Sequence, residues 1–222
     1  MVYSLELKTV REWGNGGNMG RKWLMLVVAF FSVFSFLFAM QSLPPVIPQI
    51  MEEFNVSHAE TSLLMSLVAL PVIFLSLPAG ILTVKWGPKR VSGLGLILAT
   101  FGALTTYLAN SFLWLEIGRL ILGIGGALVA VSAISIIPQW FSREELGKAM
   151  GIYAINMPIV TITALNLLPR IASGFGWRTS FLIATIILAA AALANISLIR
   201  GNHRRRNQSQ CMLASRISKY GL

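Results

Sequence analysis

Long uncharged stretches constrain this chain more than anything else in it. Six runs, over residues 23–43, 62–84, 91–109, 112–137, 147–168 and 179–199, consist almost wholly of apolar and small residues. About 20 such residues, wound as a helix, cross a hydrocarbon core of about 30 Å. In hydrocarbon every backbone N–H and C=O must be satisfied within the protein, so lone runs of this length fold as helices. The sequence predicts an all-α integral membrane protein with six transmembrane helices, between a polar segment at 1–21 and a basic tail at 201–222. The first run is too long, and is followed by too many others, to be a signal peptide. Met19 stands just before it and is a second candidate start beside Met1.

Charge placement orients the runs. Only 12% of residues are charged, against about 25% in soluble domains. The net charge of +10 would suit a nucleic-acid binder. Here the cations flank apolar runs and form no continuous face, so nucleic acid is not an expected partner and the lipid bilayer is. Fifteen of the 18 basic residues fall in the amino-terminal segment, the 85–90 turn, the 139–148 linker and the stretch from Arg200 onward. The alternate loops hold only Arg170 and Arg178, and Arg119 lies within a run. Lys and Arg accumulate on the cytoplasmic side, so both termini are expected in the cytoplasm and the protein in the cell membrane. Arg204, Arg205 and Arg206 read as an anchor of the same kind.

The turns are marked. Gly87-Pro88 breaks the second run from the third, because glycine accepts positive φ and proline cannot continue a helix. Pro44, Pro45 and Pro48 disturb the end of the first run. Ser57 reads as a helix cap rather than part of a glycosylation sequon. Pro138 ends the fourth run, residues 139–146 form an interfacial linker, and residues 169–177 are expected as an outside loop.

Polar residues inside the runs are the candidates for chemistry. A cation within a span costs several kcal/mol, about 2.5 or more, unless it is paired or faces water. Arg119 is such a cation, and Glu116, three residues earlier, is its expected partner. The pair serves either a proton or anion pathway or simply steadies the fourth helix. Asn156, Thr163, Asn166 and Arg170 are spaced as one face of the fifth helix. Asn156, Asn166 and Gln41 are candidates for a substrate pathway, while Ser132 and Ser135 are expected to bond their own backbone. Pro158 is expected to bend the fifth helix. Gly147-xxx-Gly151, Gly102-xxx-Thr106 and Gly126-xxx-Ala130 are small-residue pairs that let helix backbones approach. No nucleophile–base, metal-ligand or nucleotide motif appears, so the expectation is no enzyme, no cofactor and no metal.

The junctions carry a resemblance. Gly80-x-Leu82-x-Val84-Lys85-x-Gly87-x-Lys89-Arg90 resembles the loop signature between helices 2 and 3 of the major facilitator superfamily. Arg119-x-x-x-Gly123-x-Gly125-Gly126 is similar to its helix 4 motif, residues 139–151 to its linker into helix 5, and Gly176-Trp177-Arg178 to its entry into helix 6. The resemblance covers residues 22–200 and implies a 3+3 repeat forming the amino-terminal half of a twelve-helix transporter. It also implies secondary or facilitated transport of a small solute by alternating access, and the lone cation Arg119 in the fourth run favours an anion. Arg119 and Glu116 would handle charge, Asn156, Gln41 and Asn166 would line the pathway, the 80–90 loop would control rocking, and Gly123, Gly125 and Gly126 would pack helices.

Two departures qualify this. Val84 replaces the family's loop Asp and cannot accept the hydrogen bonds that anchor the loop. Ala164-Leu165 stands where the family's antiporters carry Gly-Pro, which points away from drug/proton antiport. A truncated product, a self-associating half and a half paired with a separate chain are the three readings of the length. The alternative function is a non-transporting remnant or a structural or regulatory partner of another membrane protein.

Overall fold

The structure, a computed structural model, describes residues 19–199; most of the amino-terminal segment and the basic tail with Arg204, Arg205 and Arg206 lie outside the described residues. The described residues are helical and contain no strand. In order they form α1 (Met19–Met40), a 3-10 turn (Pro44–Val46), α2 (Ile47–Phe54), α3 (His58–Trp86), α4 (Pro88–Tyr107) and α5 (Phe112–Ile136). A second 3-10 turn (Ile137–Gln139), α6 (Arg143–Ala154), α7 (Asn156–Phe175) and α8 (Trp177–Ile199) complete the bundle.

Five helical stretches are long and apolar enough to cross a membrane: Lys22–Phe54, His58–Trp86, Phe112–Gln139, Arg143–Phe175 and Trp177–Ser197. The expected third span, α4, is a helix of 20 residues but is not among these five. Its apolar character is diluted by Lys89, Arg90, Ser92 and its glycines and threonines.

Local chemistry sets the boundaries. Ser57 accepts a hydrogen bond from the Glu60 N–H at 3.3 Å, and the Glu60 carboxylate accepts one from the Ser57 N–H at 2.7 Å. This reciprocal box starts α3. Gly87 takes φ +87° and ψ 146° between α3 and α4, and Gly176 takes φ +82° and ψ 159° between α7 and α8. A side chain would strain both. Proline explains the fifth run. Pro158 has no N–H for the Ala154 carbonyl, and α6 stops at Ala154, so the expected continuous helix over 147–168 is two helices meeting at Ile155. Pro169 does not open the outside loop expected at 169–177. It lies inside α7, which continues to Phe175, because neighbouring helices hold a proline-bearing span in place.

The core runs in three layers along the bundle. Leu26, Ile137, Phe141 and Ala149 close one end. Phe36, Phe38, Val68, Leu96, Leu122, Val160 and Leu188 fill the middle. Leu43, Val46, Ile50, Leu64, Leu115, Trp177 and Phe181 close the other end. The most extensive helix contact is between α4 and α5, and small residues make it. A Cβ at Gly125 would lie 2.5 Å from the Ala99 nitrogen and 2.6 Å from the Gly95 carbonyl oxygen. A Cβ at Gly102 would strike the Leu122 backbone, and one at Gly118 would strike Thr106. On other faces of α5, Gly123 faces the Val68 carbonyl, 2.6 Å from such a Cβ, and Gly126 seats the Phe36 ring.

Gly147 and Gly151 differ from the expectation. Both are exposed, with nothing within 4 Å of an added Cβ, because α6 packs through Ala149 on its other face. Overpacking of a tight contact typically costs 1–3 kcal/mol. Gly125→Leu is therefore expected to lower the melting temperature in detergent clearly, and Gly147→Leu to leave it unchanged. Equal effects from the two would show that the α4–α5 seam is not a tight backbone contact.

Candidate functional site

Arg119 is the most unusual side chain in the bundle. It lies on α5, is 1% exposed, and is the largest of the fully buried side chains. Its Nη1 donates to the Ala39 carbonyl at 3.3 Å, and its guanidinium carbon sits 5.0 Å from the centroid of the Phe181 ring. Nε and Nη2 have no hydrogen-bond partner.

The location has a physical cause. Ala39 belongs to the last turn of α1, where carbonyls lack an intrahelical partner and the helix dipole is negative. Its oxygen accepts from the Ser42 hydroxyl at 2.7 Å as well as from Arg119. The expected pairing with Glu116 is not made. Ion pairs form elsewhere, between Lys22 and Glu145 and between Glu53 and Arg178, and Glu116 is half-buried without a salt bridge to Arg119. A helix advances 100° per residue, so positions 116 and 119 diverge by about 60°. The guanidinium follows its own face inward to α1. Gln41 is half-buried two residues past Ala39, in the turn that leaves α1.

The amides of the fifth run do not form one lining. Asn156 begins α7, is 2% exposed, and donates from Nδ2 to the Phe30 carbonyl of α1 at 2.8 Å, with Oδ1 unpartnered. Asn166 is exposed and bonds its own helix at Ile162, 2.8 Å away. Thr163 likewise bonds the Ile159 carbonyl. Phe30 and Ala39 are nine residues apart on α1, so Asn156 and Arg119 touch it at points roughly 14 Å apart along its axis. Ser132 and Ser135 bond carbonyls of their own helix.

The 80–90 loop divides. Gly80 has nothing within 4 Å of an added Cβ, Leu82 is half-buried, and Val84 is 81% exposed with Lys85 beside it. Lys89 turns inward, its ammonium 5.3 Å from the centroid of Trp140. At the same end Trp23 meets Phe141 edge-on at 5.8 Å, and Lys22 pairs with Glu145 at 3.2 Å. The basic loop, the linker and the start of α1 thus form one end of the molecule.

The opposite end carries a cluster that sequence reasoning missed. The Arg178 guanidinium pairs with Glu53 at 2.8 Å and donates to the Ala109 carbonyl at 3.2 Å. It stacks 4.5 Å over Trp177, whose indole N–H donates to the same Glu53 carboxylate. Phe54 and Phe181 pack against Trp177 at 6.0 and 5.6 Å. This ties α2 to the start of α8 and the end of α4. The signal was present: Glu52 and Glu53 stand in a cation-free loop, and Arg178 opens a later span at the same end. Among the described residues no group of three or more His, Cys, Asp and Glu side chains is placed to hold a metal ion.

A close-packed bundle of apolar helices with one buried arginine defines a multi-pass membrane protein. The family follows from comparison: residues 29–210 match the model of the Major Facilitator Superfamily, and the chain belongs to it. Its members are transporters and not enzymes. Quinolone resistance protein NorB of Staphylococcus aureus, in strains MRSA252 and JH9, is 28% identical over 202 residues, covering 91% of this chain and 42% of the relative. The peptide transporter POT, solved in complex with sulfate, is similar with a TM-score of 0.71 at 12% identity, over 92% of this chain and 46% of that one. A mutant of POT in complex with alafosfalin has the same TM-score. The chain spans less than half the length of these proteins.

The Glu53–Arg178 cluster makes a prediction. Its ion pair is partly exposed, and such pairs contribute about 0–1 kcal/mol alone, with more where a network shares the charge. A double-mutant cycle of Glu53→Ala and Arg178→Ala, read by thermal unfolding, is expected to give a coupling near 1 kcal/mol. Strict additivity would show that the contact contributes nothing.

Proposed function

We propose that this chain is the amino-terminal 3+3 half of a twelve-helix transporter, and that the transporter moves a small solute bearing an anionic group by alternating access. The observation that carries the reading is Arg119: a guanidinium buried in a spanning helix, with two donor nitrogens unfilled and no acid beside it. Such a group is expensive in the membrane and marks a solute or ion pathway. Gln41, two residues past the Ala39 carbonyl that Arg119 holds, is the substrate-contact candidate. Asn156 holds α7 to α1 and positions rather than contacts, Glu116 serves protons nearer the outer surface, and Asn166 lies on a face left for a partner.

Several features support the half-transporter geometry. The matched glycine junctions, Gly87 and Gly176, recur at the second turn of each three-helix repeat. The spans within α3 and within α6–α7 are each only 22% buried, against 44% or more for the spans within α1–α2, α5 and α8. Such faces suit the approach of a second half, and rocking of one half on another would pass through Gly80, Val84 and Lys85. The basic end would lie in the cytoplasm and the Glu53–Arg178 end outside the cell membrane. The name of the Staphylococcus relatives favours efflux of an organic solute, while Ala164-Leu165 argues against drug/proton antiport. A non-transporting membrane partner is the second reading, favoured by Val84 where the family places an acid.

A buried charge without an ionic partner carries a desolvation cost of several kcal/mol, and an apolar residue of similar size removes that cost. Arg119→Met is therefore expected to keep or raise the melting temperature while lowering counterflow of radiolabelled organic anions into proteoliposomes at least tenfold. Counterflow that survives the substitution would remove Arg119 from the pathway. A fall of several kcal/mol in stability would make it a structural residue, and a folded chain without counterflow for any solute would favour the non-transporting reading.

A further inference from the structure

A groove of about 400 Å³ opens on the surface between α4 and α8, lined by Trp86, Arg90, Gly93, Leu94, Ile97 and Ile196. The buried arginine and α7 take no part in it, and α3 contributes only its last residue, Trp86. We propose that it seats one acyl chain of an anionic phospholipid from the surrounding bilayer, with the lipid phosphate held at Arg90 beside Trp86.

Depth and polarity agree with that occupant. Trp86 and Arg90 stand at the basic end, where a bilayer changes from hydrocarbon to headgroups, and tryptophan favours this level. Ile97 lies seven residues beyond Arg90 on the same helix, about 10 Å deeper. The recess therefore runs from headgroup level into hydrocarbon. Leu94, Ile97 and Ile196 wall it, each partly exposed on the bundle surface, and Gly93 lines it with backbone alone. The fit to an apolar tail comes from these walls.

Charge complementarity selects the headgroup. Of the loop's three cations, Arg90 is the one that lines the groove, and it is exposed there. A guanidinium offers a planar fork that matches a phosphate diester. The cytoplasmic leaflet supplies anionic lipids that attract basic groups at the membrane edge. Seating the lipid here would join the end of α8 to the loop between α3 and α4 without touching the transport pathway.

Native mass spectrometry of the full chain, released from micelles doped with phosphatidylglycerol or phosphatidylcholine, tests this. One phosphatidylglycerol is expected to be retained in preference to phosphatidylcholine, and to raise the melting temperature. Arg90→Gln is expected to weaken retention about fivefold, Arg90→Lys to recover part of it, and Ile196→Trp to fill the groove and abolish it. Arg143→Gln, at the same end but outside the groove, is expected to change nothing. Circular dichroism and monodispersity establish folding; if Ile196→Trp misfolds, the two Arg90 variants decide. Equal retention of the two lipids would overturn the proposal. So would an Arg143→Gln loss as large as that of Arg90→Gln, which marks a general basic belt. Stabilisation by inorganic phosphate as strong as by the lipid would overturn the acyl seat.

Discussion

The fold depends on how closely α4 and α5 approach. Between helices surrounded by lipid there is little hydrophobic drive, so association rests on van der Waals contact and on buried polar bonds. Gly95, Gly102, Gly118 and Gly125 bring the two backbones into direct contact. Once that pair is set, α8 packs on α4, α3 packs on α5, and α1 closes against α5 and α8. Gly126 then leaves room for the Phe36 ring, which locks α1 into the middle layer. The helices at the edge of this arrangement, α3 and α7, keep the largest exposed apolar faces.

The two ends of the bundle are built differently. At the basic end, cations meet aromatic rings and one acid: Lys89 over Trp140, and Lys22 with Glu145. At the other end a single carboxylate, Glu53, collects a guanidinium and an indole N–H from the start of α8, and the same guanidinium reaches the Ala109 carbonyl, so that three segments distant in sequence are joined. Both ends hold short connecting helices or turns against the spans. Between them the polar content is low, and Arg119 stands out because the last carbonyls of α1 and the face of Phe181 offset only part of its burial.

Much of this was legible in advance, for identifiable reasons. Run length and the need to satisfy backbone groups foretell helices, and Gly87-Pro88 foretells its turn, because these effects act within a few residues. Where the reading failed, distance was the cause. Glu116 looked like the partner of Arg119 by spacing, but the Ala39 carbonyl, 80 residues away, takes that place. Gly147 and Gly151 looked like a packing pair, but their face meets nothing within the chain. Pro169 looked like a helix end, and the packed bundle carries α7 past it.

By itself, then, the sequence determined a helical membrane protein of the major facilitator family, the turn at Gly87-Pro88, and the asymmetry of its charges. These follow from composition, periodicity and short motifs, which need no knowledge of neighbours in space. The tertiary structure alone decided which glycines are contacts and which are bare, and which acid meets which cation. It also decided that Arg119 reaches α1 and that Asn156 binds α1 while Asn166 faces outward. A side chain's partner is set by the helix that packs against it, and that helix lies far away in the chain.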